Sequence, residues 1–166
     1  RKGFISIIGE IGTGKTTIIR SYLSRIDPEK IKPIYIFNPN LNFKELLLTI
    51  CEELNISLEE QEVLQMTRNL HRLLIDGYRK GKNFVLVIDE AHNMPVETLE
   101  NLRMLSNLET SRDKLIQIVL IGQPELEKKL KQPQLRQLKQ RLAVRATLRP
   151  LSFKEACAYI RHRLSL

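Results

Sequence analysis

Gly9-Glu10-Ile11-Gly12-Thr13-Gly14-Lys15-Thr16 decides the reading of this chain. A glycine, four residues, then Gly-Lys-Thr make a loop whose backbone N–H groups turn inward around a phosphate, and the following helix adds the positive end of its dipole. Glycine is needed where a Cβ would strike the phosphate. Upstream, Phe4-Ile5-Ser6-Ile7-Ile8 is a short, β-branched apolar run of the kind that forms a buried central strand of a parallel sheet. Downstream, Lys15 to Arg25 carries Ile18, Ile19, Tyr22 and Leu23 at helical spacing. Strand, loop and helix together are the context that a phosphate loop requires.

In such a loop the Lys15 ammonium reaches the β- and γ-phosphates and the Thr16 hydroxyl ligates Mg²⁺. The expected ligand is therefore Mg-ATP, held by Gly9, Glu10, Ile11, Gly12, Thr13, Gly14, Lys15, Thr16 and Thr17. A second apolar strand, Phe84 to Ile88, runs straight into Asp89-Glu90. Carboxylates at the carboxyl end of a neighbouring parallel strand face the phosphate crevice. Asp89 is expected to hold the cation through water, and Glu90 to act as the general base on the attacking water.

Working outward, Pro33 to Phe37 reads as a strand stopped by Asn38-Pro39-Asn40, and Asn42 to Leu54 as a helix with an Asn42-x-x-Glu45 start. Ser57 to Glu60 reads as a capping box for a long helix through Val63, Met66, Leu70, Leu73, Leu74 and Tyr78, with Met66 and Tyr78 taken as core, ended by Gly81. A helix after Pro95, a strand from Leu115 to Ile121, a helical stretch from Pro124 to about Arg141 and a fifth strand near Ala143 to Leu148 follow. Ser152-x-x-Glu155 caps a last helix. Strands alternating with helices imply right-handed crossovers and a parallel five-stranded sheet covered on both faces, a three-layer α/β nucleotide-binding core over residues 1–150. Residues 151–166 read as the first helix of a helical lid. Because the chain opens on a strand and stops in a helix, it is expected to be a piece of something longer.

Composition narrows the function classes. No apolar run approaches the roughly 18 residues that span a bilayer, so this piece is expected to be soluble and cytoplasmic. Cys51 and Cys157 are far apart, without metal-ligand spacing, and read as reduced core thiols. His71, His92 and His162 share no metal spacing either. The net charge of +8 is concentrated: residues 126–166 hold eleven Lys/Arg against only Glu127 and Glu155. Such a surface suits phosphates, nucleic acid or acidic membranes.

Several residues around the expected site have two readings. Gln123, at the end of the fourth strand, either orients the attacking water or caps the helix at Pro124. Asn38 either hydrogen-bonds Glu90 and holds it back or does simple turn chemistry. His92 reads as a solvated loop histidine more than as a lining of the site. Arg136, Arg141 and Arg145 are either a solvated basic face or the source of a side chain that crosses a subunit boundary to a neighbour's γ-phosphate.

Taken together, these residues resemble the AAA+ ATPases, whose sheet order is 5-1-4-3-2 with a helical lid beyond. More narrowly, Gly9 to Thr17, Val87-Ile-Asp-Glu-Ala-His-Asn93, Ser106-Asn-Leu-Glu-Thr110, Gln117 to Leu126 and Leu135 to Arg141 are similar to the general secretion pathway protein A family. The resemblance covers nearly the whole chain. It implies a homo-oligomeric ATPase at the cytoplasmic face of the inner membrane, assembling a secretin or pilus apparatus, with peptidoglycan bound by domains outside this chain. By the same resemblance Gln123 takes the sensor-one position and Arg141 the arginine-finger position, while sensor two lies past Leu166. The competing reading is an AAA+ regulator of transposition or replication that binds DNA.

Overall fold

The computed structural model describes residues 3–58, 62–110 and 113–165. Five parallel strands, β1 (Phe4–Gly9), β2 (Ile31–Phe37), β3 (Asn83–Asp89), β4 (Ile116–Gly122) and β5 (Leu142–Leu148), form one sheet in the order β2-β3-β4-β1-β5. The helices are α1 (Lys15–Leu23), α2 (Phe43–Glu53), α3 (Val63–Arg79), α4 (Val96–Ser106), α5 (Pro124–Leu130), α6 (Arg136–Gln140) and α7 (Phe153–Leu164). The order is the one the resemblance implied. From β1 the chain crosses to the β2 edge, and from β4 it crosses to the β5 edge. This reversal opens a crevice above the carboxyl ends of β1 and β4.

The period-two alternation of each strand sorts its side chains onto two unequal cores. Phe4, Ile34, Ile36, Leu86, Ile88, Ile118 and Leu120 face one side, where α2 to α6 bury Leu46, Ile50, Met66, Leu70, Leu99, Leu102, Leu126 and Leu138 against them. The other side is a small cluster of Ile19, Val87, Val119 and Ile121, with Ile5, Ile7, Leu23 and Tyr35 at its border. There α1 supplies the buried helix side chain. The three layers are present, the second face being thinly covered.

Local sequence explains most element ends. Asn42 accepts from the Glu45 N–H while Glu45 returns a bond to the Asn42 N–H, the expected capping box, and Ser152 and Glu155 do the same for α7. Glu60 of the expected third capping box lies outside the described residues.

Three expectations are corrected, and α1 adds a detail. Of the apolar residues at helical spacing on α1, Ile19 is buried while Ile18 and Tyr22 are exposed, because the helix meets the sheet along a narrow stripe. Tyr78 is partly exposed and donates from its hydroxyl to Asp113 at 2.7 Å instead of filling the core. The stretch from Pro124 to Arg141 is not one helix: Pro133, which has no N–H to donate, starts a 3₁₀ turn (Pro133–Leu135) between α5 and α6. Cys157 is only half-buried, since no residue of α7 is buried, whereas Cys51 is a buried free thiol as expected. Burial pushes the Cys51 thiol up to about 11.

Candidate active site

At the carboxyl end of β1 the loop turns through Gly12 (φ 78°) and Gly14 (φ 83°), left-handed conformations that cost glycine least. Gly14 is the N-cap position of α1 and has no side chain to cap the helix, so the first N–H groups of α1 stay available to an anion. Lys15 is buried. Its ammonium donates to the Gly9 carbonyl at 2.8 Å and the Glu10 carbonyl at 2.9 Å, which folds it back over the loop. Glu10 contributes this carbonyl, not its carboxylate. Thr13 donates to the same oxygen at 2.8 Å. Gly9 itself has no room for a Cβ, which would lie 2.8 Å from the Leu148 carbonyl.

Asp89 ends β3 completely buried. Its Oδ2 accepts from the Thr16 hydroxyl at 2.7 Å and from the Tyr35 hydroxyl at 2.5 Å, and its Oδ1 from the Glu90 N–H at 2.9 Å. Residues 73 apart in sequence, Thr16 and Asp89, are thus brought together as expected. Burial first, and then the hydrogen bond to Asp89, push the Tyr35 phenol up to about 12, so it remains a donor.

Glu90 has left-handed backbone (φ 57°), uncommon for a residue with a side chain. Its Oε2 lies 3.3 Å from Gln123 Nε2 and 3.4 Å from His92 Nε2. The Gln123 N–H donates to His92 Nδ1 at 3.4 Å, and the Gln123 amide nitrogen lies 3.2 Å from His92 Nε2. Gln123 occupies the N-cap position of α5 but makes no side-chain cap; its amide points instead toward Glu90. His92, its side chain 13% exposed, is packed into the site and not solvated. Asn38 does not reach Glu90. Its Oδ1 accepts from Asn93 at 2.7 Å and its backbone is left-handed, the turn chemistry that was its alternative.

Ile11, Gly12, Gly14, Lys15, Thr16, Thr17, Glu90 and Gln123 line a cleft of about 440 Å³. A larger depression of about 590 Å³ lies at the far end of β3, lined by Glu29, Asp76, Lys80 and Lys82 among others, away from the phosphate loop. Arg141 is remote from the cleft. It precedes β5 at the end of the sheet where β1 begins, and its carbonyl accepts from the Phe4 N–H at 3.3 Å. With a rise of about 3.3 Å per residue, β1 puts some 16 Å between that end and Gly9, more than an arginine can span. The Arg141 guanidinium donates to Ser106 Oγ at 2.6 Å and Asn107 Oδ1 at 2.5 Å. The run that begins at Ser106 therefore has a structural purpose, the anchoring of Arg141.

Two residues at the site carried no signal in the sequence. Tyr35 fell within the expected strand from Pro33 to Phe37 without being singled out. Lys129 was one of the eleven basic residues of 126–166, and it donates to the carbonyls of His92 and Met94, at 2.5 and 2.8 Å, while burial lowers its pKa.

A phosphate loop, an acidic pair and a polar amide on adjacent strands of a 5-1-4-3-2 sheet define a P-loop ATPase of the AAA+ type. The chain belongs to the AAA domain family, whose model matches residues 1–130. It is 44% identical over 165 residues to general secretion pathway protein A of Aeromonas hydrophila, covering 99% of this chain and 30% of that relative. Among solved structures, the fold is similar to the Aeropyrum pernix ORC2 protein in its ADPNP-ADP complexes (TM-score 0.76, 17% identity, 99% of this chain and 46% of that one). It is also similar to Cdc6p from Pyrobaculum aerophilum (TM-score 0.69, 21% identity, 96% and 42%).

Proposed function

We propose that this domain binds ATP together with Mg²⁺ and hydrolyses it, with Lys15, Thr16, Asp89, Glu90 and Gln123 in the roles their sequence positions suggest. The supporting observation is the bond between Thr16, which lines the cleft, and the buried Asp89 carboxylate, next to a helix start that no side chain caps. This donor set suits a hard cation that prefers oxygen and keeps several waters, taking one or two protein oxygens and the rest from phosphates and solvent. Among the described residues no cluster of three acidic, His or Cys side chains could hold a metal alone, which also fits a cation that arrives with the nucleotide. When bound, Mg²⁺ would neutralise charge on the phosphates.

The chain's own residues do the rest. Lys15, released from the Gly9 and Glu10 carbonyls, supplies positive charge to the phosphates. Glu90 takes the proton of the attacking water. Gln123 orients that water or touches the γ-phosphate, and Arg141 serves a neighbouring subunit's site.

The relationship to general secretion pathway protein A supports a wider reading. In it, residues 1–150 are the core and α7 begins a helical lid. The domain would act as a homo-oligomer at the cytoplasmic face of the inner membrane, assembling a secretion or pilus apparatus, with other domains contacting its components and peptidoglycan. The exposed face of α7, where Phe153 and Leu164 bury nothing, supports the lid assignment. Among the described residues no helix is long and apolar enough to cross a membrane. The second reading, DNA binding, rests on the basic residues 126–166. Titration of duplex DNA at rising salt tests it: a steep loss of affinity with salt favours the nucleic-acid reading, and no binding at low salt removes it. Phosphate release from ATP with and without Mg²⁺ tests the first.

A further inference from the structure

Thr16 and Arg20 are four residues apart on α1 and so share one face of that helix. Below that face lies Tyr35. Arg20 stacks over its ring, 5.7 Å from the centroid, and its hydroxyl donates to Asp89 Oδ2 at 2.5 Å, the same oxygen that accepts from Thr16. In the sheet register Tyr35 is paired with Val87, and Asp89 lies two residues further along β3. Tyr35 and Asp89 therefore share the sheet face that α1 covers, and the length of the phenol closes the gap between them.

We propose that Tyr35 is a positioning residue for the divalent cation, fixing the Asp89 carboxylate in the orientation that faces Thr16. The inference rests on the reading above that the nucleotide is bound with Mg²⁺. Its physical basis is the division of labour at Asp89. The Glu90 N–H fixes Oδ1 from the backbone, but Oδ2 is held only by side chains. The Thr16 hydroxyl has a second task, since its oxygen is to ligate the cation. Tyr35 has no such task, and Arg20 together with the β3 register holds its ring still. A carboxylate so fixed meets a cation's water without first paying to be ordered, which is how outer partners tune metal affinity.

The test separates metal-dependent from metal-independent nucleotide affinity. ATP is titrated calorimetrically into the wild type and Tyr35→Phe, in Mg²⁺ and in EDTA, with melting temperatures taken in the absence of nucleotide. Tyr35→Phe should leave affinity in EDTA unchanged and lose roughly tenfold of the gain that Mg²⁺ confers on the wild type. Arg20→Ala, at an exposed position that does not threaten folding, should lose a smaller part of the same gain, and it carries the test alone if Tyr35→Phe fails to fold. In an Asp89→Asn background, Tyr35→Phe should add nothing. A full or increased Mg²⁺ gain in the folded variants overturns the proposal, as does an equal loss in EDTA, the mark of a merely structural role. Absence of any Mg²⁺ gain in the wild type overturns the Mg²⁺ reading instead, and this inference with it.

Discussion

Gln123 Nε2 sits 3.3 Å from Glu90 Oε2, so the amide that ends β4 and the carboxylate that follows β3 touch above the sheet. The proposed general base is thus tethered to the neighbouring strand's end. His92 tethers it from a second side.

Glu90→Gln should therefore keep ATP affinity and lose hydrolysis by about 10²- to 10⁴-fold, since the amide can still hydrogen-bond to water but cannot take its proton. Nucleotide titration and phosphate release on the same preparation measure both. Turnover at the wild-type rate would remove Glu90 from the role and turn attention to Gln123 or His92.

Lys15→Ala should weaken ATP binding by about 10²-fold or more, given roughly 1.5–3 kcal/mol for each charge-assisted hydrogen bond lost to the phosphates. Because the Lys15 ammonium donates to carbonyls of its own loop, its removal should leave the fold intact. Calorimetry with Mg-ATP decides. Unchanged affinity in a folded variant means that the phosphate loop has been misread.

Arg141→Ala should bind ATP normally and hydrolyse about 10³- to 10⁵-fold more slowly, if the arginine acts in trans as such residues do in other P-loop enzymes. The distance from Gly9 makes action within one subunit impossible, so mixing distinguishes the cases. In the full-length protein an Arg141→Ala subunit keeps Glu90 and borrows Arg141 from a Glu90→Gln neighbour, and activity should return. Co-assembly without recovery points to Arg136 or Arg145, or to Arg141 being only the anchor of the Ser106 turn.

Glu155 predicts a pH effect confined to α7. Its hydrogen bonds from Arg149 and then from Ser152 hold its carboxyl down at about 2. A depressed pKa stabilises above the unfolded value, about 4.3, and that contribution is lost as pH falls toward 2. Helical signal from α7 should fade over that window, and Glu155→Gln should abolish the pH dependence without changing the signal of the sheet. An unaltered titration would show that the capping box does not hold α7.

The sequence by itself determined everything that local geometry requires. Gly12 and Gly14 are where left-handed backbone is needed, Asp89 and Glu90 directly follow an apolar strand, and Asn42 and Ser152 start helices through side chains three residues away. Each of these is a short-range rule, legible in a window of a few residues. The side-chain bonds that organise the site are not short-range. Tyr35 meets Asp89 across 54 residues, Gln123 meets Glu90 across 33 and Arg141 meets Ser106 across 35. Strand order and register decide which side chains become neighbours, and hydrophobic periodicity alone specifies neither. For that reason His92 read as solvated, and neither Lys129 nor Tyr35 was singled out. Only the tertiary structure, by laying β3 between β2 and β4, put a phenol on one side of the acidic pair and an amide on the other.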